Sequence, residues 1–255
     1  EDTDVNGAFA IQAFGRSQND FYYNQNADIE TDTADLDAAE TPIIFITQKE
    51  TGMADQLKNA ASGIVMFTGG EYNIGSVQLS NPVSIMGSGT DTTVLNGSIA
   101  YTTSAEKEEI SISGLTLRST ANDKTGINFS AIKNSKISIE NCAFEGYQFG
   151  VGINSNAAEN ELNVASTSFN DVWCAMGVKA GDSKNEIGKL ENVSTDSDCF
   201  AVQIFGRTVE SGYDYGGFFQ TIDKYNQYKS EPDNVKPDWE PDGGTWPSSW
   251  EAKSG

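Results

Sequence analysis

Apolar and polar residues alternate in short bursts along this chain, and between Pro82 and Gly206 the bursts recur. PVSIMGSG, EISISGLTL, KISIENCAF, ELNVASTSF and GKLENVST align so that Ile85, Ile112, Ile139, Val164 and Leu190 form one column, at steps of 27, 27, 25 and 26 residues. Two residues further on stand Gly87, Gly114, Asn141, Ser166 and Asn192. A second column holds Leu117, Phe144, Phe169 and Thr195. Later in the units Val151, Met176 and Val202 align, as do Ile153, Val178 and Ile204. Within a unit the apolar positions have period 2, as in Ile110 and Ile112 or Ile137 and Ile139, which predicts short strands with one face turned inward. A steady period of this length, built from strands and turns, predicts a solenoid of stacked parallel β-coils.

The physics of the pattern is consistent with that fold. Gly or Asn at the corner suits a residue in the left-handed region, which most side chains resist. Stacked Asn side chains can hydrogen-bond to one another along the axis. No coil can bury its inward residues alone, so the coils above and below must complete the core. Five or six coils at about 4.8 Å each give a rod of about 25–30 Å. The competing arrangement, an antiparallel sandwich, seldom keeps so even a period.

Three regions are expected: an N-terminal arm and acidic linker over 1–40, with a strand at 8–16; the solenoid over 41–207; and an aromatic, Pro-rich capping tail over 208–255. The arm carries the pattern of a solenoid strand. Phe9-Ala10-Ile11-Gln12-Ala13-Phe14-Gly15-Arg16 matches Phe200-Ala201-Val202-Gln203-Ile204-Phe205-Gly206-Arg207 at six of eight positions, with apolar-for-apolar exchanges at the other two. Three homes are open to it: a cap on its own solenoid, a strand added to a neighbouring subunit's coil, or disorder with a coincidental match. In the exchanged case the assembly residues are Phe9, Ile11, Ala13 and Phe14 together with Phe200, Val202, Ile204 and Phe205. Exposed solenoid ends invite such pairing, and a contact that does not close builds a filament. Pro42 to Thr47 reads as a strand. Thr51 to Ser62 reads as a helix carrying Met53, Leu57 and Ala60 at helical spacing, with Thr51 as its cap and Gly63 at its end.

Charge narrows the partners. With 37 acidic and 16 basic residues the net charge is −21, which argues against nucleic acid and anionic membranes. No cofactor is implied, although Ca²⁺ at carboxylate clusters fits the charge. No apolar run is long enough to span a bilayer and no signal peptide precedes Glu1, so a processed, secreted or cell-surface chain is expected. Cys142, Cys174 and Cys199 do not make a disulfide framework. A Cys174–Cys199 bridge between neighbouring coils is open, but buried free thiols are expected.

Family resemblance enters at Gly69-Gly70-Glu71-Tyr72, Pro82-Val83-Ser84-Ile85-Met86-Gly87-Ser88-Gly89 and Thr93-Val94-Leu95-Asn96-Gly97. Following an amphipathic helix, these resemble the opening of the right-handed parallel β-helix, or pectin-lyase-like, superfamily. The likeness covers roughly residues 50–207. It implies an all-β, right-handed parallel β-helix of about five to six coils with a capping helix. It says little about activity, because those residues serve the cap and the turns.

Thr195-Asp196-Ser197-Asp198-Cys199 looks like the paired-Asp coil of polygalacturonases, in which carboxylates protonate the leaving oxygen and activate water. A Ser splits the pair here, and the chain contains no His. The Gly-His-Gly and downstream Arg-x-Lys motifs of that family are therefore missing. A lyase would need carboxylate-bound Ca²⁺ and an Arg or Lys base. Arg16, Arg118 and Arg207 are the only arginines, and no acidic residues are expected in register around Arg118. Asp196, Asp198 and Arg207 are the catalytic candidates if the chain is an enzyme, and no metal ligand set is expected.

In the tail Tyr213, Tyr215, Trp239, Trp246 and Trp250 could stack on sugars or grip a partner, or pack against the solenoid as a cap. Asn96, Asn128 and Asn192 begin glycosylation sequons. The function expected is a secreted or surface structural β-helix that assembles head to tail with itself. The alternative is a polysaccharide lyase, glycoside hydrolase or carbohydrate-binding adhesin.

Overall fold

A computed structural model of the chain describes residues 43–48, 52–120, 124–154, 156–209, 212–214, 217–232 and 234–238. The chain divides into two units, Glu1–Thr41 and Pro42–Gly255, and every described residue belongs to the second.

Strands Ser84–Met86, Glu109–Ser113, Lys136–Glu140, Glu161–Ala165 and Glu186–Glu191 lie parallel, with Ile85, Ile112, Ile139, Val164 and Leu190 in register. Ile43–Ile46 and Ile64–Phe67 extend the column upstream through Ile44 and Val65, giving a seven-stranded sheet. Between Leu162 and Val164 the register against Glu186–Glu191 slips, so the last coil carries an extra residue.

The eleven-stranded sheet begins with two long strands, Gly70–Leu79 and Thr93–Tyr101. In later coils each is replaced by two short strands with a corner between them, as in Ala143–Glu145 and Phe149–Ile153, or Ser168–Asn170 and Cys174–Lys179. Leu95, Leu117, Phe144, Phe169 and Thr195 stack in one column. Val77, Ile99, Ile127, Val151, Met176 and Val202 stack in another. The result is a mostly-β parallel solenoid of about six turns with two short helices. Because identical positions sit one strand spacing apart, aromatic rings in one column stack: Phe144 on Phe169 at 5.0 Å and Tyr101 on Phe129 at 4.7 Å between centroids.

The corner residues behave as their types require, with one exception. Gly114, Asn141, Ser166 and Asn192 have φ of 66°, 50°, 47° and 52°. Gly87 is there for space: a Cβ would lie 2.4 Å from the Gly114 carbonyl oxygen. A second left-handed column runs through Lys107, Asn134, Glu159 and Lys184. The residues that follow the last three, Ser135, Asn160 and Asn185, form the axial polar ladder. Ser135 N–H donates to Asn160 Oδ1 (3.1 Å), and Asn160 Nδ2 donates to Asn185 Oδ1 (2.8 Å) and to the Ile132 carbonyl (2.8 Å). The ladder therefore occupies the corner that precedes the seven-stranded sheet, not the one at Asn141 and Asn192.

The helix α1 spans Met53–Asn59, shorter than the segment expected, and its cap is Gly52 in the left-handed region with no side-chain bond. Thr51, the cap expected, lies outside the described residues. Asn81 Nδ2 holds the Ala60 carbonyl at 2.9 Å, where the chain leaves the helix for the next strand. Leu57 and Ala60 are buried, and α1 packs against Gly70–Leu79.

Beyond the last coil a second helix, α2, spans Ile222–Ser230, within the stretch expected to be an aromatic, Pro-rich tail. Thr221 Oγ1 accepts from Lys224 N–H at its start. Tyr225 and Tyr228 turn one face onto Phe219. No helix among the described residues is long and apolar enough to cross a membrane.

Candidate functional site

On the outer face of the eleven-stranded sheet Asn96, Arg118 and Glu145 stand side by side on successive coils. This corrects the expectation that Arg118 lacks acidic residues in register. Arg118 Nε donates to Glu145 Oε2 at 2.7 Å, and Glu71 Oε1 lies 3.6 Å from Nη1. Asn96 Nδ2 donates to Glu71 (2.8 Å) and to Asn73 (3.2 Å). The hydrogen bond to Glu145, and then that carboxylate's charge, hold the Arg118 guanidinium above its ordinary range. Both carboxylates favour the protonated guanidinium, the form that has no lone pair to accept a proton. The pairs are solvent-exposed and worth about 0–1 kcal/mol each.

Asp196 and Asp198 are both exposed. Asp196 Oδ2 accepts the N–H of Asp171 at 2.7 Å, pinning a left-handed residue (φ 50°) of the preceding coil. The carboxylate does the work of a turn. Arg207 lies in a short hairpin, Arg207–Val209 with Gly212–Asp214, which also carries Tyr213. No group of three or more metal-ligating side chains gathers among the described residues.

The later copy of the repeated octapeptide is the last parallel strand, Phe200–Phe205, paired with Cys174–Lys179. Val202 and Ile204 face the core. Phe200 instead joins Trp173, Cys174 and Phe218 in a separate cluster, against which the half-buried Phe149 packs. Phe205 is half-buried. Phe9, Ile11, Ala13, Phe14, Tyr215, Trp239, Trp246 and Trp250 lie outside the described residues.

All three cysteines are buried and none is in a disulfide. Cys199 packs in the main core and Cys174 in the separate cluster. Burial pushes the Cys142 thiol up to about 12 and raises Cys174 well above its ordinary value. A thiol reagent at pH 8 is therefore expected to label none of the three in the native protein and all three after unfolding. The unfolded chain ionises first, so the stability conferred by these neutral thiols is intact below about pH 9 and falls as the pH rises toward 12. Urea unfolding at pH 8 and pH 10.5 checks the sign.

No protein-family model, curated protein or solved structure matches the chain. The two ends of the solenoid differ in how their edge strands are covered. At the C-terminal end Phe218–Phe219 runs antiparallel to Phe200–Phe205, with Phe219 opposite Val202 and Phe218 opposite Gln203. Gln220 Nε2 donates to the carbonyls of Ser197 (3.0 Å) and Cys199 (2.9 Å). Lys229 Nζ, from α2, donates to the carbonyls of Ile187 and Gly188 on the last strand of the seven-stranded sheet. Lys224 pairs with Asp238, whose Oδ2 takes the Gln220 N–H (2.8 Å).

At the N-terminal end α1 packs on Gly70–Leu79. Ile43–Ile46 ends the seven-stranded sheet, with no strand on its far side among the described residues. Its Phe45 is 39% exposed.

Proposed function

We propose that this chain is a non-catalytic, extracellular β-helix of the pectin-lyase-like type, a structural or surface protein that assembles with copies of itself through its N-terminal strand. The observation that carries the reading is the placing of Phe200–Phe205. A sequence used by this fold as a parallel end strand, with Val202 and Ile204 inward, recurs at Phe9–Phe14 with Ile11 and Ala13 in the same positions. A segment already patterned for a coil needs only a bare edge to pair with. The commitment of Asp196 to a turn and of Arg118 to two carboxylates supports a role without catalysis.

Removing residues 1–16 is expected to leave the solenoid folded and convert an associating protein into monomers. Sedimentation and electron microscopy of both proteins check this. Equal association with and without the segment, or monomers in both samples, would refute it and turn attention to polysaccharide binding.

A further inference from the structure

A bare strand edge is a row of unpaired N–H and C=O groups. At the C-terminal end Phe218–Phe219 and Gln220 cover Phe200–Phe205, and Lys229 donates to carbonyls of Glu186–Glu191, while the two-residue strand Ser194–Thr195 has no strand beyond it among the described residues. At the N-terminal end α1 packs on Gly70–Leu79, and Ile43–Ile46 is the longer end strand with no strand beyond it among the described residues.

The surface beside it is also unlike the rest of its sheet. Phe45, Met66 and Met86 form one outward row, with Ile43 and Ile64 in the next. All are exposed or half-exposed. From the following coil onward the first row continues as Ser113 and Glu140. A chain with a net charge of −21 has placed an apolar, uncharged margin next to this edge.

We propose that Ile43–Ile46 accepts Phe9–Phe14 of a second copy as a parallel strand. Ile11 and Ala13 continue the inward positions of Ile44 and Ile46, and Gln12 lies opposite Phe45. This rests on the assembly reading above and changes its geometry. Donor segment and acceptor edge both belong to the N-terminal end, so two copies exchange arms and close as a two-fold dimer instead of growing as a filament.

The occupant suits the edge. Phe9–Phe14 has no charged residue and the alternation of a strand, and the 28 residues from Gly15 to Pro42 reach up to about 90 Å when extended. Within this column successive coils are 20 to 27 residues apart, from Ile44 to Val65, Ile85 and on to Leu190, whereas Ile11 precedes Ile44 by 33, so the arm does not keep the coil period of its own chain and is assigned to a second copy.

Because the native thiols are buried, introduced cysteines report alone. Mixing the Gln12→Cys chain with the Phe45→Cys chain under mild oxidation is expected to give cross-linked dimers at least ten-fold above either chain alone. Phe45→Lys is expected to weaken dimerisation at least ten-fold while the circular dichroism of the fold is unchanged. An internal cross-link in the monomeric double variant, without dimers, would overturn the proposal in favour of a self-cap. Filaments in place of dimers would overturn it too. So would the absence of any cross-link while deletion of residues 1–16 still abolishes association, an outcome that leaves the assembly reading standing. Association untouched by that deletion would remove both.

Discussion

Replacing Asn160 by leucine is expected to destabilise the protein by about 2–4 kcal/mol, although the two side chains are nearly the same size. Asn160 is 1% exposed and belongs to two coils at once. Its Oδ1 takes the Ser135 N–H from the coil before, and its Nδ2 serves the Ile132 carbonyl and Asn185 Oδ1. Leucine leaves the Ser135 N–H unmet, at a cost of about 1–3 kcal/mol, and removes one of the two donors from the Ile132 carbonyl and from Asn185 Oδ1, which keep the N–H groups of Ala158 and of residue 160. The loss does not stay local. Asn185 relies on the same ladder while its own Nδ2 holds the carbonyls of Ala157 (2.9 Å) and Lys179 (2.7 Å). Urea unfolding of the variant checks the figure. A change below about 1 kcal/mol would mean that water replaces the ladder freely.

Gly97→Ala is expected to cost about 3–5 kcal/mol, from strain of about 1–3 kcal/mol at a disfavoured backbone angle and a similar overpacking cost. Gly97 has φ of 136°, and a Cβ there would lie 2.0 Å from the carbonyl oxygen of Gly75 on the adjacent strand. That neighbour is backbone, paired in register with Gly97, so it cannot swing aside. Gly75 supplies the control. It also has positive φ (61°), yet a Cβ added to it meets nothing within 4 Å. Gly75→Ala should therefore cost only about 1–2 kcal/mol, the price of the left-handed conformation. Thermal unfolding of the pair separates contact from conformation, and equal losses would refute the steric account.

Both predictions fall on residues whose identity is set by what lies one coil away, and that is also where sequence reading reached its limit. The inward columns were legible because each is a repeated apolar position, and burial demands the same chemistry in every coil. The corner at Gly114, Asn141 and Asn192 was legible for a similar reason, since left-handed backbone selects Gly and Asn. The second left-handed column was not, because Lys107, Glu159 and Lys184 show no such preference. There the backbone conformation is held by bonds such as Asn134 N–H to Ala158 O (2.9 Å) and Glu159 N–H to Ser183 O (2.7 Å). Glu145 beside Arg118 was within reach, one place beyond the aligned Leu117 and Phe144. The helix α2 also left signals: Thr221 as cap, Asp223 in the first turn, and Ile222, Tyr225 and Tyr228 at helical spacing. Among so many aromatics they read as a tail.

Amino-acid order alone dictated the period, the inward columns and their register, because a solenoid repeats one local problem of burial from coil to coil. Tertiary structure decided everything that occurs once. It set Asp196 to holding Asp171, and it placed Cys174 and Cys199 in separate apolar clusters. Through Lys229, 42 residues from the Ile187 carbonyl it meets, it tied α2 to the last strand of the seven-stranded sheet. A single contact between distant residues leaves no period in the sequence, and such contacts determine which edges of this solenoid are covered.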